Sequence, residues 1–236
     1  PGDSCLLAVM TDNSDDKNFP PGKRQYTLDF AYHGGIYRDV WMIGKSSVAI
    51  TDALEADKVA GGGVFVHFDN ISGKKAEVYV DTEVHNSGKR TRTVAVETVL
   101  ADAGDVPVKR VSQQVKLQAG ESKTVRQRFA VRNPKLWSPD SPYLYRIQSR
   151  VKAGHEVLDG GVTRVGIRKA EFKGKDGFWL NGKPFGQLVG ANRHQDFAYV
   201  GNALPNSQQW RDAKRLRDAG SVSYTHLRAH ETSLHL

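Results

Sequence analysis

Features that would place a protein in a specialised class are scarce in this sequence of 236 residues. It contains one cysteine, Cys5, which excludes an internal disulfide framework and leaves the compartment open between the cytoplasm and a periplasmic or secreted location. No stretch approaches the roughly 20 apolar residues that span a bilayer. Residues 1–10 lack the basic start and long apolar core of a signal peptide and look like the middle of a strand, so we expect the natural N-terminus to lie upstream.

Long runs of like charge are also missing, although the formal net charge is +8. A basic protein can bind nucleic acid or an anionic surface. Here, however, the 34 lysine and arginine residues are spread along predicted strands and one predicted helix. Aromatic residues are not interleaved with basic clusters, as a platform for single-stranded nucleic acid requires. We therefore expect an ordinary solvated surface, with no nucleic-acid partner and no membrane partner.

What the sequence does contain is a series of short segments in which apolar residues recur at every second position. Between about residues 57 and 168 these segments are 64–68, 78–84, 94–100, 125–131 and 143–151. A period of two marks a half-buried strand, and short strands at this spacing predict an immunoglobulin-like β-sandwich without an inter-sheet disulfide. Two earlier segments, Leu6–Met10 and Tyr26–Phe30, are also predicted strands.

Two further segments carry unusual combinations of residues. In Asn133–Pro142, three prolines stiffen a loop and Trp137 supplies an apolar anchor, which predicts packing between domains, with stacking on a sugar as the alternative. In His33–Trp41, a glycine pair permits a sharp turn, and Arg38 and Asp39 lie within an apolar strand. Because a guanidinium inside such a strand needs a partner, we predict a buried or interdomain ion pair.

The last part of the sequence predicts a hairpin, a strand and a helix. The Asn181-Gly182 pair is a strong signal for a tight turn. It is followed by Leu188–Asp196, a short apolar strand that ends in a polar cluster. Asn206 or Ser207 is predicted to cap a helix that ends at Gly220. Strand, loop and helix in this order form a βα unit, and in an α/β barrel the functional residues lie where strands end.

Three of these segments resemble, in the same order, motifs of glycoside hydrolase family 2, the family of the β-galactosidases and β-glucuronidases. They are GGIYRDV at 34–40, NPKLWSPDSPYLY at 133–145, and LNGKP at 180–184 with GANRHQD at 190–196. The resemblance spans nearly all of residues 5–220. It implies a mostly β fold class with three parts: the C-terminal part of a sugar-binding jelly-roll domain (1–56), the immunoglobulin-like β-sandwich domain (57–168), and the first βα unit of the catalytic (β/α)8 TIM barrel (169–220).

Residues 221–236 leave the family pattern, and we predict that they are a non-native tail. Residues 222–232 resemble one translated reading frame of a transposase-type sequencing adaptor, which would make the chain a truncated fragment. His226 and His230 have the spacing of an HExxH zinc site, but Leu227 occupies the position of the glutamate. We therefore expect no zinc site here.

The resemblance implies retaining hydrolysis of a terminal β-galactoside by two carboxyl groups roughly 5–5.5 Å apart. In the family both groups are glutamates from later barrel strands, and neither matches a position in this sequence. No catalytic residue is therefore assigned, and the fragment is expected to be inactive. Two alternatives are a β-glucuronidase or β-mannosidase of the same family, and a non-catalytic carbohydrate-binding module made of β-sandwiches.

The resemblance also implies a carbohydrate partner and a set of substrate-binding residues. It carries His194 to a sugar-contacting position and Asp196 to a neighbouring one, whereas a histidine satisfied by the local backbone is the alternative for His194. Asn192 and Arg193 are expected to brace the site, or Arg193 to pair with a later glutamate. Asp29 is expected to reach the sugar from the jelly roll, with a turn role as the alternative. No cofactor or metal-ligand cluster is visible, although Mg, Ca or Na ions and homo-oligomers are compatible with the full-length parent.

Overall fold

Eight antiparallel strands form the two sheets of a β-sandwich, and they account for most of the regular structure in the chain. In the computed structural model they are β1 (Val48–Ile50), β2 (Val64–Asp69), β3 (Lys75–Asn86), β4 (Arg92–Ala101), β5 (Pro107–Leu117), β6 (Ser122–Arg132), β7 (Tyr145–Ala153) and β8 (Glu156–Val165). In one sheet the long strand β3 pairs with β6 on one side and with β1 and β2 on the other. The other sheet has the order β5-β4-β7-β8. The predicted immunoglobulin-like sandwich is confirmed.

The structure describes residues 6–19, 22–27, 33–193, 196–221 and 223–226. The chain divides into two units, which we call the sandwich unit (Ile43–Gln187) and the flanking unit (Pro1–Met42 with Leu188–His235). Within the described residues, no helix combines the length and the apolar character needed to cross a membrane.

The core of the sandwich follows from the period of two in its sequence. Along β6, side chains alternate between buried and exposed, and Val125, Phe129 and Val131 point inward. They pack with valines of β3 and with Leu100 and Ile147 of the opposite sheet. Since successive side chains of a strand point to opposite faces, the apolar half of each strand is removed from water and the polar half remains solvated.

The sandwich also includes β1, which lies inside the segment 1–56 that the family resemblance assigned to a jelly-roll domain. Val48 and Ile50 are buried because β1 pairs with the end of β3. In the described residues before β1, the one helix or strand is a short 3-10 helix, Gln25–Thr27. The predicted strand Leu6–Met10 is wrong, because these residues are exposed and pair with no strand in the described part of the chain. The jelly-roll assignment stays a prediction.

The proline-rich loop packs inside the sandwich unit through Trp137. A Cβ placed on Gly166 would lie 2.9 Å from the Trp137 ring, and the Arg168 guanidinium lies 4.7 Å from the ring centroid. The Trp137 amide donates to the Ile167 carbonyl at 2.8 Å. The ring therefore serves packing within the unit, on the segment that follows β8.

A small three-stranded sheet of β9 (Ala170–Phe172), β10 (Phe178–Leu180) and β11 (Lys183–Gly186) completes the sandwich unit, in the order β11-β10-β9. The predicted turn between β10 and β11 is confirmed. Asn181 and Gly182 have φ values of 53° and 77°, and positive φ at both central residues is the condition for a type I′ turn. The Asn181 side chain also donates to the Trp137 carbonyl at 3.0 Å.

The flanking unit contains a strand, a helix and a second strand parallel to the first. These are β12 (Gly190–Arg193), α1 (Asn206–Asp218) and β13 (Ser223–His226). The predicted βα unit is thus present, and Gly220 follows the helix with a φ of 88°, as expected of a helix stop. Pro205, one residue before the predicted cap, holds the cap position, and its carbonyl accepts from Gln208 and Gln209. The continuation into a full barrel and the non-native origin of residues 221–236 stay predictions.

Candidate functional site

The candidate site lies at the carboxyl end of β12, where the predicted polar cluster begins. Of the five predicted substrate-binding residues, His194 and Asp29 lie outside the described residues. Asn192 belongs to β12, but its side chain is likewise outside the description. Arg193 is the last residue of β12, and Asp196 is partly buried at the start of the loop that follows. The described part of the site therefore consists of Arg193, Asp196 and the residues around them.

Arg193 joins the end of β12 to one face of α1. Its Nε and Nη2 atoms donate to Oδ2 of Asp212 at 3.1 and 2.7 Å, and its Nη1 atom donates to Oε1 of Gln209 at 2.7 Å. Gln209 and Asp212 are three residues apart and lie on the same helix face. The Arg193 side chain is 15% exposed and that of Asp212 is 21% exposed. A charge-assisted bond of this geometry fixes the strand end against the helix.

Asp212 has a second donor, which orients its carboxylate further. Gln208 Nε2 donates to Asp212 Oδ1 at 2.8 Å, so each carboxylate oxygen accepts a side-chain hydrogen bond. This network joins the end of β12 to α1, and the expected role of Arg193 in bracing a sugar site stays a prediction. The alternative from the sequence was a pair with a later glutamate, whereas the acidic partner of Arg193 in the structure is an aspartate, Asp212.

The loop between β12 and α1, residues 196–205, folds into a tight turn. The Phe197 amide donates to the Gly201 carbonyl at 3.1 Å, and the Gly201 amide donates to the Phe197 carbonyl at 2.9 Å. Gly201 has a φ of 53°, in the left-handed region that favours glycine. Asn202 and Leu204 follow the turn and are buried, at 1% and 3% exposed. The loop that carries Asp196 is thus a compact structure with its own buried side chains.

The His33–Trp41 segment contacts this loop at two places, which the sequence did not indicate. A Cβ on Gly201 would lie 2.9 to 3.1 Å from ring atoms of His33. Arg38 donates from Nη1 to the Leu204 carbonyl at 3.0 Å. Asp39 is exposed, so a buried pair of Arg38 with Asp39 is wrong, and the interdomain alternative stays a prediction. One nitrogen of the guanidinium instead donates to a backbone carbonyl.

Within the described residues, no three His, Cys, Asp or Glu side chains come together as a metal site. His226 belongs to β13, whereas His230 lies outside the described residues. The described residues around the end of β12 hold hydrogen-bonding groups in place at the end of the strand. Asp196 is the acidic residue in that position, and an ionised carboxylate accepts strong hydrogen bonds from hydroxyl groups.

Comparisons with known proteins bear on the fold and the family. Residues 63–168 match the profile of the glycosyl hydrolases family 2. A β-galactosidase from Thermoanaerobacter pseudethanolicus is 32% identical over 219 residues, which cover 93% of this chain and 27% of that protein. A β-glucuronidase from Formosa agariphila is 29% identical over 213 residues, which cover 87% of this chain and 21% of that protein.

A solved structure extends the likeness to three dimensions. The crystal structure of a Bacteroides uniformis β-glucuronidase superposes with a TM-score of 0.78 at 27% identity, over 91% of this chain and 25% of that one. The chain spans about a quarter of the length of the relatives it matches, namely 27% and 21% of the two enzymes compared by sequence.

Proposed function

The chain belongs to the glycosyl hydrolases family 2, and we propose that it is a segment of a retaining glycosidase that acts on terminal β-galactosides. The observation that carries this proposal is the polar sequence GANRHQD at the end of β12, followed by a loop, a helix and a parallel strand. In barrel enzymes the substrate is bound at this end of the strands.

The proposed role of the site is to bind sugar hydroxyl groups. Asp196 and His194 are the proposed contacts, since a carboxylate and an imidazole can hydrogen-bond adjacent hydroxyls. Arg193 is proposed to orient the strand end and leave the direct contacts to its neighbours, because three of its nitrogen atoms already donate to α1. Asn192 and Asp29 are retained as proposed contacts on the resemblance alone.

A β-galactoside is favoured over other β-glycosides by two observations. The β-galactosidase relative is the more similar of the two enzymes compared by sequence, at 32% against 29% identity. Arg-His-Gln-Asp after Asn192 also resembles the galactosidases of the family. A β-glucuronide is the second candidate, supported by the names of the other two relatives. Its sugar carries a carboxylate, which calls for a cation or several hydrogen-bond donors.

The chain on its own is proposed to be inactive. Retaining hydrolysis needs one carboxyl group to protonate the leaving oxygen and a second, roughly 5–5.5 Å away, to attack the anomeric carbon. The resemblance places both on barrel strands after α1, and no residue of this sequence matches them. The segment therefore supplies substrate contacts and leaves the bond-breaking groups to sequence beyond it.

The test compares the 236-residue chain with a version extended by the rest of its gene. Both are assayed on nitrophenyl β-galactoside, β-glucuronide and β-mannoside. We expect the extended protein to prefer the galactoside and to release β-galactose first, and the 236-residue chain to be inactive on all three. A preference for the glucuronide would favour the second candidate. An extended protein without any hydrolysis would favour a non-catalytic binding module, and hydrolysis by the 236-residue chain would refute its inactivity.

A further inference from the structure

We infer that His33 and Arg38 are positioning residues that hold the loop Asp196–Pro205 in the shape that presents Asp196 to a sugar. The inference depends on the proposed function only for the identity of the ligand. The contacts that hold the loop are features of the flanking unit and are testable without any ligand.

The first contact is steric and involves Gly201. At a φ of 53°, a side chain at this position would be strained by its own backbone. It would also meet the His33 ring at 2.9 to 3.1 Å, closer than carbon atoms normally approach. His33 is itself exposed to solvent. Its ring therefore acts by occupying the space beside Gly201, which keeps the turn of residues 197–201 closed.

The second contact is a hydrogen bond at the other end of the loop. Arg38 donates to the Leu204 carbonyl at 3.0 Å, across 166 positions of sequence. Leu204 directly precedes Pro205, the residue at the cap position of α1. A guanidinium bonded to this carbonyl fixes the point at which the loop enters the helix. A hydrogen bond with a charged donor is stronger than one between neutral groups.

Together with Arg193, these contacts define both ends of the loop. Arg193 ties the end of β12 to α1, three residues before the loop begins at Asp196. Arg38 ties the end of the loop, and His33 supports the turn in between. Asp196 lies between the Arg193 anchor and the turn and is partly buried. A site that discriminates sugars needs such a preset position for its acceptor, because ordering a loop upon binding costs affinity.

The experiment measures native-state amide exchange in the 236-residue chain at Phe197, Gly201 and Ala203, whose amides donate within the loop. Arg38→Gln should speed exchange at these amides about five- to tenfold and leave the amides of β3 and β6 unchanged. Arg38→Lys should restore part of the protection, since an ammonium still donates to a carbonyl. The role of Arg38 would be overturned if exchange at the loop amides were unchanged in Arg38→Gln, or if exchange at the sandwich amides became faster by the same factor.

The steric contact is tested with two glycines of similar backbone conformation. Gly201 and Gly154 have φ values of 53° and 60°, but a Cβ on Gly154 meets nothing within 4 Å. Gly201→Ala should therefore speed amide exchange in its own turn several-fold more than Gly154→Ala speeds exchange in the turn that contains Gly154. In a His33→Ala background, the effect of Gly201→Ala should fall to that of Gly154→Ala. An effect that is the same in both backgrounds would overturn the role of His33.

A ligand measurement separates this inference from the proposed function. The wild-type chain and the Arg38 variants are titrated with a nitrophenyl β-thiogalactoside, which glycosidases cleave poorly. We expect a several-fold weaker Kd for Arg38→Gln and partial recovery for Arg38→Lys. Binding that is unchanged while the loop amides exchange faster would refute the link from loop to sugar. No binding by wild type together with the expected exchange pattern would count against the proposed function and leave the positioning of the loop supported.

Discussion

The sandwich unit is stabilised mainly by an apolar core, whereas the described part of the flanking unit depends on a few specific contacts between distant segments. In the sandwich, side chains such as Val80, Leu100 and Ile147 are fully buried between two sheets. In the flanking unit, Leu6 and Met10 are 97% and 91% exposed, and its long-range contacts include the bonds made by Arg193 and Arg38. The first kind of stabilisation is spread over many residues, and the second is concentrated in a handful.

This difference predicts how each unit responds to single substitutions. A core that is shared by many side chains loses stability wherever one of them is shortened. A unit held by individual hydrogen bonds responds strongly at those bonds and weakly at its exposed apolar side chains, such as Leu6 and Met10. The proposed sugar site lies in the second kind of unit, as binding sites on loops often do.

The largest effect is expected in the sandwich core. Ile147→Ala should lower the free energy of unfolding of the sandwich by about 2–5 kcal/mol, through lost burial and the cavity left behind. Leu6→Ala, at a side chain that is 97% exposed, is the control and should change stability by less than about 0.5 kcal/mol. Urea denaturation followed by tryptophan fluorescence measures both. Equal effects of the two substitutions would contradict the contrast between the units.

The next effect concerns the network of Arg193 in the flanking unit. Asp212→Ala removes the acceptor of two Arg193 hydrogen bonds, and we expect local opening of α1 to become easier by about 1–2 kcal/mol. Amide exchange along α1 measures the change. Asp218→Ala on the same helix is a matched control, since its ion pair with Lys214 is exposed and should contribute at most about 0.5 kcal/mol. If both variants changed the free energy of opening α1 by a similar amount, the Arg193 network would stabilise the helix no more than an exposed ion pair does.

A third effect appears as a pH dependence of the sandwich. Hydrogen bonds from Lys75, Arg128 and Asn70 lower the pKa of Glu77 from 4.5 to about 2. Because the folded-state pKa lies below the unfolded value, this carboxylate stabilises the fold above about pH 4.5. That stabilisation is lost as the pH falls toward 2.

Glu77→Gln tests this dependence. The wild type should be more stable than the variant at pH 6, and the difference should shrink steadily between pH 5 and 2. Acid titrations of unfolding midpoints in both proteins measure it. If the difference in stability between the two proteins stayed constant over this range, ionisation of Glu77 would not be linked to the stability of the sandwich. The amides of α1 should show no corresponding change, since Glu77 belongs to β3 of the sandwich unit.

The same contrast explains which parts of the structure the sequence could predict. The core strands were predictable because burial on one face imposes a period of two, as along β6. The edge strand β5 was missed because ten of its residues are exposed or only partly buried, which leaves no period to detect. β8 contains the exposed pair Gly160-Gly161 and was missed for the same reason.

The site was predictable in its location but only partly in its contacts. The polar cluster after a short apolar strand indicated the end of β12, because the order of strand, loop and helix is local in sequence. The bond from Arg38 to the Leu204 carbonyl could not be predicted, since every residue has a carbonyl and no residue type marks the acceptor. The same holds for Gly201. A left-handed turn at a glycine is a local feature that a sequence can indicate, but the ring beside Gly201 belongs to His33, which is far away in sequence.

The smallest effect is expected at the turn of Asn181, where the sandwich unit itself uses a specific polar contact. Asn181 Oδ1 accepts from the Lys169 amide and Nδ2 donates to the Trp137 carbonyl, both at 3.0 Å. Asn181→Gly keeps the positive φ and loses both bonds, so unfolding should become easier by about 0.5–1.5 kcal/mol. Asn181→Ala should cost more, because it adds backbone strain at a φ of 53°.

Urea midpoints of the two Asn181 variants decide between two sources of stability at this turn. If Gly and Ala lower stability equally, the hydrogen bonds carry the contribution and the backbone conformation adds little. If Asn181→Gly is neutral, the two bonds to Lys169 and Trp137 contribute nothing net, and this turn depends on φ alone. The second result would mean that the sandwich unit does not rely on side-chain hydrogen bonds even where it makes them, which would widen its contrast with the loop that Arg38 holds.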